Sequence, residues 1–206
     1  MSGTPPAVLV PAIEWIAVLA GAYSGFAEAR TRQMDPVGIF AIAFVTAFGG
    51  GTLRDLLLDR RPFFWVEHTE YVFLIFVLTL VAAPVARVAK RIVTPTAFVV
   101  ADAIGLGFFS ISGAAVALAL GSPWIVAAMM GVITGVCGGL LRDVILNEVP
   151  MVLRDGQPYA IVALAGCLVY LGLIAAGSPE QAALWSSATL IVVLRLAAWR
   201  RGWIIK

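Results

Sequence analysis

Apolar residues in this chain come in long runs, not in the spacing of a helix with one wet face. Seven windows, residues 7–29, 37–58, 71–88, 96–120, 124–146, 158–176 and 182–199, approach or exceed the roughly 20 residues that a spanning helix needs. The connections between them are short and hold turn or breaking residues. None is long enough to separate domains, so the pattern predicts one all-α integral membrane domain over residues 1–206. The opening segment has no basic region ahead of its apolar run, and Val8 onward reads as a retained span, not a cleaved signal.

A shift of 88 positions lays the first three windows on the next three. Gly50, Gly51, Leu53, Arg54, Asp55, Leu58 and Pro62 fall on Gly138, Gly139, Leu141, Arg142, Asp143, Leu146 and Pro150. Ser24, Gly25 and Thr46 fall on Ser112, Gly113 and Thr134, acidic Glu14 falls on acidic Asp102, and Tyr71 falls on Tyr159. Chance apolar matches do not keep glycine, arginine, aspartate and proline in one ungapped register, so the pattern predicts a duplication. The expected layout is a three-helix repeat over residues 7–88, a second over 96–176, and a seventh helix over 182–200. An odd number of spans per repeat makes the second copy enter the membrane from the other side, which makes the repeats inverted.

Composition agrees: 61% of residues are hydrophobic and 13% charged, far from the balance of a soluble domain. A net charge of +2 with no basic stripe argues against a nucleic-acid partner. One side of the predicted topology collects Arg30, Arg32, Arg87, Lys90, Arg91, Arg154, Arg200, Arg201 and Lys206, the other only Arg60 and Arg61. The positive-inside rule then puts the amino terminus outside and the carboxyl terminus in the cytoplasm. Cys137 and Cys167 lie in apolar runs without CxxC spacing or a histidine partner, so neither a disulfide nor a metal site is expected. The sole histidine, His68, sits in a loop away from any nucleophile or ligand pattern, which argues against an enzyme.

The chemistry concentrates in Gly49-Gly50-Gly51-Thr52-Leu53-Arg54-Asp55 and its echo Cys137-Gly138-Gly139-Leu140-Leu141-Arg142-Asp143. Each glycine weakens a helix by about 1 kcal/mol relative to alanine, and the expectation is that helices two and five break there, with freed carbonyls facing protein or water. The alternative is a continuous helix packed closely through its glycines, as Gly21 and Gly25 suggest in the first span. Cys137 in place of Gly49 implies a milder second break. Thr46, Thr134, Ser24 and Ser112 each can bond their own backbone, but as a repeat-symmetric set they read as pathway lining.

Adjacent residues on a helix point about 100° apart, so Arg54 is not expected to meet Asp55, nor Arg142 to meet Asp143. At 1.5 Å per residue both arginines lie about 27 Å along oppositely directed spans, near opposite faces. Depth therefore favours Glu14–Arg54 and Asp102–Arg142 pairs, with Asp55, Asp143 and Glu28 as rival partners.

The doubled G-G-x-L-R-D, the S-G-x-A-x-A stretches at Ser24 and Ser112, and the three-plus-three-plus-one layout resemble the prokaryotic branch of the trimeric intracellular cation (TRIC) channel family. The resemblance covers Glu14 to about Arg200. It implies a homotrimer in a prokaryotic inner membrane, with a pore in each subunit between the repeats, lined by the second and fifth spans. It also implies passive conduction of potassium, with some sodium, and no cofactor. Animal members carry a lysine-containing lipid-regulated motif where this chain has Arg54-Asp55. Bacterial members also bear a glycine-transporter label, so a carrier for glycine or a similar small amino acid is the second reading.

Overall fold

The computed structural model describes residues 9–88, 93–154 and 158–203. Positions 7 and 8 of the first window, and Lys90, Arg91 and Lys206 of the basic side, lie outside the described residues, as does the side chain of Arg87. The described chain holds α1 (Leu9–Thr31), α2 (Pro36–Leu57), α3 (Phe64–Glu67), α4 (Thr69–Val88), α5 (Pro95–Ala119), α6 (Trp124–Ile145), α7 (Tyr159–Ala175) and α8 (Glu180–Arg201). A 3₁₀ turn spans Met151–Leu153. Two single turns add to the seven predicted helices: α3 in the loop after α2 and the 3₁₀ turn in the loop after α6.

The helix ends follow from local chemistry. Asp35 accepts from the Gly38 amide at 2.7 Å ahead of Pro36, and Thr94 accepts from the Ala97 amide at 3.1 Å ahead of Pro95, so α2 and α5 each start on a capping side chain followed by proline. Duplication is visible in the turns. Asp59 and Asn147, 88 positions apart, both take left-handed backbone after α2 and α6, with φ of 51° and 57°. Gln33 and Gly121, another such pair, do so after α1 and α5, with φ of 55° and 77°.

Four of the described helices, Pro36–Leu57, Pro95–Ala119, Trp124–Ile145 and Glu180–Arg201, are long and apolar enough to cross a membrane, and Thr69–Val81 and Tyr159–Ala175 are shorter apolar segments. Burial runs opposite to that of a soluble protein: Phe73 and Ile125 are 68% and 66% exposed, while Arg54 and Arg142 are 1% exposed. An apolar outside around buried charge fits lipid as the surrounding solvent.

The centre is made of α1, α2, α5 and α6. Helix α5 is buried along nearly its whole length between α1, α6, α7 and α8, while α4 packs on α2 and α1.

Helices α2 and α6 do not break. Both are continuous through Gly49-Gly50-Gly51 and Cys137-Gly138-Gly139, which corrects the expectation of unwound segments. The reason is packing. A Cβ on Gly50 would overlap the Thr134 carbonyl oxygen, one on Gly138 would overlap that of Thr46, and one on Gly51 would overlap the Phe64 ring. A Cβ on Gly49 would sit 2.8 Å from Leu141 Cδ1. The glycines let two backbones touch, and that contact offsets their poor helix propensity. Gly25 does the same in α1, where a Cβ would lie 2.8 Å from Ala43 Cα.

These contacts are reciprocal. Gly50 meets Thr134 and its counterpart Gly138 meets Thr46, the counterpart of Thr134. Positions 88 residues apart thus exchange equivalent contacts across the α2–α6 interface.

Candidate functional site at the repeat interface

Each repeat buries one ionic cluster at the far end of its glycine-bearing helix. In the first, Arg54 Nε donates to Asp55 Oδ1 at 2.8 Å, and Arg54 Nη1 reaches Glu14 Oε1 at 3.4 Å and Ser112 Oγ at 3.3 Å. In the second, Arg142 Nε donates to Asp143 Oδ1 at 2.8 Å, and its Nη1 reaches Asp102 Oδ1 at 3.4 Å and Ser24 Oγ at 2.6 Å. The structure therefore brings Glu14 to Arg54 and Asp102 to Arg142. It also brings in the rival partners Asp55 and Asp143, against the expectation that adjacent helical positions point too far apart to meet. Three methylenes and a planar guanidinium span the 100° between adjacent positions, and these bonds are the shorter ones.

The aspartates have a further task. Asp55 Oδ2 accepts from the Phe64 amide at 2.8 Å, and Asp143 Oδ2 accepts from the Met151 amide at 2.9 Å. Each thus ties the loop after its helix back to the helix end. Arg54 and Arg142 also face aromatic rings, with Cζ 5.3 Å from the Phe64 centroid and 5.0 Å from that of Phe98. Two carboxylates, a hydroxyl and a ring face offset part of the hydration each guanidinium loses, while Arg54 Nη2 has no hydrogen-bond partner among the described residues.

Between the helices lies a narrow cleft lined by Ser24, Thr46, Asp102, Thr134, Gly138, Gly139 and Tyr159, among others. About 20 Å³ is open to a water-sized sphere there, room for about one water. Of the other candidates, Gly50 and Gly51 are packed against backbone and ring, Gly49 against Leu141, and Ser112 serves Arg54 and Glu14. The threonine hydroxyls are engaged locally: Thr46 donates to the Ile42 carbonyl at 2.7 Å and Thr134 to that of Met130 at 2.6 Å. Their carbonyl oxygens, pressed against glycine, are what the opposite helix meets.

Two residues outside the sequence candidates belong to the second cluster. Tyr159 donates to Asp102 Oδ2 at 3.0 Å, and the Arg195 guanidinium lies over the Tyr159 ring at 4.8 Å. The match of Tyr71 with Tyr159, and a lone arginine deep in an apolar helix, were the available signals. Beyond the spans, Arg32 pairs with Glu148 at 2.8 Å and joins the α1–α2 turn to the loop after α6. The hydrogen bond from Arg32 holds the Glu148 carboxyl below the usual range, and the same bond raises the Arg32 guanidinium. Among the described residues no three His, Cys, Asp or Glu side chains converge as metal ligands.

Buried charge inside an apolar shell, with two halves exchanging contacts about a polar cleft, defines an all-helical membrane protein. A family model described as glycine transporter matches residues 12–87 and 99–175, and the chain belongs to that family. It is 38% identical to a UPF0126 membrane protein of Vibrio cholerae over 87% of this chain and 74% of that one. It is 34% identical to the UPF0126 inner membrane protein YadS of Escherichia coli K12, over 94% and 93%. In three dimensions it matches a TRIC trimeric intracellular cation channel orthologue from Rhodobacter sphaeroides, with a TM-score of 0.87 and 32% identity over 94% of this chain and 98% of that one. A structure that describes the basis for conductance through TRIC cation channels matches with a TM-score of 0.83 and 33% identity, over 97% of both chains. The fold is that of the TRIC channels.

Proposed function

We propose that this chain is a passive channel for monovalent cations, potassium with some sodium, working as a homotrimer in a prokaryotic inner membrane with one pore per subunit. The observation that carries this reading is the nearly full-length match to TRIC channels, and a polar cleft between the helices supports it. Seven spans, a 7–88 repeat inverted against a 96–176 repeat, and a seventh helix over 182–200 make up the single domain. The amino terminus is outside by the asymmetry of basic residues.

In this reading the cleft of Ser24, Thr46, Asp102, Thr134, Gly138 and Gly139 is the narrow part of the pathway. Room for one water is too little for a hydrated cation, so conduction requires α2 and α6 to move apart. Carbonyl and hydroxyl oxygens and the Asp102 carboxylate favour a cation there. The arginines, each neutralised by two carboxylates, tune the field at the two ends and hold the helix ends in place, and neither acts as a ligand. The glycine-transporter family model supports a second reading, a carrier for glycine or a similar small amino acid.

Planar-bilayer recording on purified protein separates the two. Discrete unitary potassium currents are expected. Silent bilayers together with saturable glycine uptake into liposomes would establish the carrier instead.

A further inference from the structure

The two clusters share an arginine and two carboxylates but differ in the groups around them. In the first repeat, Arg60 from the loop after α2 brings Nη1 to 3.6 Å from Asp55 Oδ1, so two guanidiniums face Glu14 and Asp55. The 88-position shift puts Glu148 where Arg60 stands. Glu148 turns outward, to Arg32 at 2.8 Å and Arg154 at 3.2 Å. The second repeat's own sequence therefore supplies Arg142 but no second cation for Asp102 and Asp143.

The unduplicated helix instead brings a cation to Tyr159, the residue that reaches Asp102. Arg195 on α8 is 1% exposed, and its Cζ lies 4.8 Å from the Tyr159 centroid. Tyr159 in turn donates to Asp102 Oδ2 at 3.0 Å, and both residues line the cleft. The first repeat, which has no counterpart of Arg195, offers a contrast. Tyr71, the counterpart, is packed by Trp15 at 4.5 Å and His68 at 5.2 Å, and its buried hydroxyl makes no hydrogen bond among the described residues.

We infer that Arg195 is a positioning residue: it holds the Tyr159 ring so that the hydroxyl stays on Asp102, and thereby sets how readily the second-repeat end of the cleft widens. A guanidinium over the ring face is attracted by its quadrupole and makes the phenol a stronger donor. It also brings a positive charge toward a carboxylate buried with few compensating groups. Only the last step, control of widening, rests on the channel reading.

The test uses the full-length protein in lipid nanodiscs with tyrosine labelled by carbon-13 at Cζ, a position that reports phenol hydrogen bonding. The chain has four tyrosines, and Tyr159→Phe assigns the signal. Wild type is expected to give a Tyr159 resonance set apart from the others. Arg195→Gln should lose that separation, and Arg195→Lys, which keeps charge but not the flat stacking group, should lose part of it. In bilayers, Arg195→Gln is expected to raise open probability severalfold, and the rise should vanish when Tyr159 is already Phe. An unchanged Tyr159 resonance in Arg195→Gln overturns the inference, whether or not currents are seen. If the glutamine variant does not fold, an unchanged resonance in Arg195→Lys overturns it equally. Wild-type protein without currents would overturn the channel reading alone and leave the resonance to decide the role of Arg195.

Discussion

Gly50 and Thr134 stand in direct backbone contact: a methyl group on Gly50 would overlap the Thr134 carbonyl oxygen, and Gly138 has the same relation to Thr46. Helices α2 and α6 therefore touch through glycine at two matching points. This contact sets the closest approach of α2 and α6.

Adding a methyl group there should force the helices apart. Gly50→Ala and Gly138→Ala are each expected to destabilise the protein by about 1–3 kcal/mol, the usual cost of overpacking a tight contact. Gly172, exposed on α7 with nothing within 4 Å of where a Cβ would sit, supplies the control. Gly172→Ala should leave thermal stability unchanged or raise it slightly. Fluorescence-detected melting in detergent reads all three, and equal melting of Gly50→Ala and wild type would contradict the contact.

The ionic clusters give a graded expectation. Arg142 lies 2.8 Å from Asp143 but 3.4 Å from Asp102, and Asp102 has Tyr159 as a second partner. Removing Arg142 alone leaves buried carboxylates without their cation and is expected to cost about 3–5 kcal/mol. In double-mutant cycles, Arg142–Asp143 coupling should exceed Arg142–Asp102 coupling. The reverse order would show that Asp143 serves mainly as the acceptor for the Met151 amide.

The surface pair Arg32–Glu148 predicts a pH effect of defined sign. The Glu148 carboxyl is held below its ordinary value by the hydrogen bond from Arg32. A depressed carboxylate contributes stability above its unfolded value of about 4.3, and the contribution is lost as pH falls through the lowered folded value. Melting temperature measured from about pH 6 down to the denaturing limit should fall more steeply for wild type than for Glu148→Gln below about pH 4.3. Parallel curves would mean that the pair does not tether the two loops.

Much of this architecture was legible because it repeats. An 88-position register runs through glycine, arginine, aspartate and proline, and depth arguments lead from Arg54 to Glu14 and from Arg142 to Asp102, where the structure places them. The state of Gly49-Gly50-Gly51 was not legible, because glycine signals a break and a close approach with the same letters. Only the position of the Thr134 carbonyl decides between them. The sequence ranks Asp55 only as a rival partner of Arg54, because helical geometry constrains Cβ directions and not the tip of a long side chain. Arg195 lies in the one span outside the duplication, where no counterpart could point to it.

The central claim is that cations pass through the cleft between the repeats, and a thiol placed at Gly139 tests it most directly. A Cβ there meets only ordinary contacts, at 3.6 Å from Arg142 Nη2, 3.7 Å from the Tyr159 hydroxyl and 3.8 Å from Asp102 Oδ1. Gly139→Cys is made with Cys137→Ser and Cys167→Ser, the two native cysteines being free. Recorded in bilayers, the labelled protein is expected to show unitary potassium current reduced or abolished by a cationic methanethiosulfonate reagent and restored by reductant. Full-size unitary currents after mass spectrometry has shown complete labelling of the cysteine at position 139 would contradict the account.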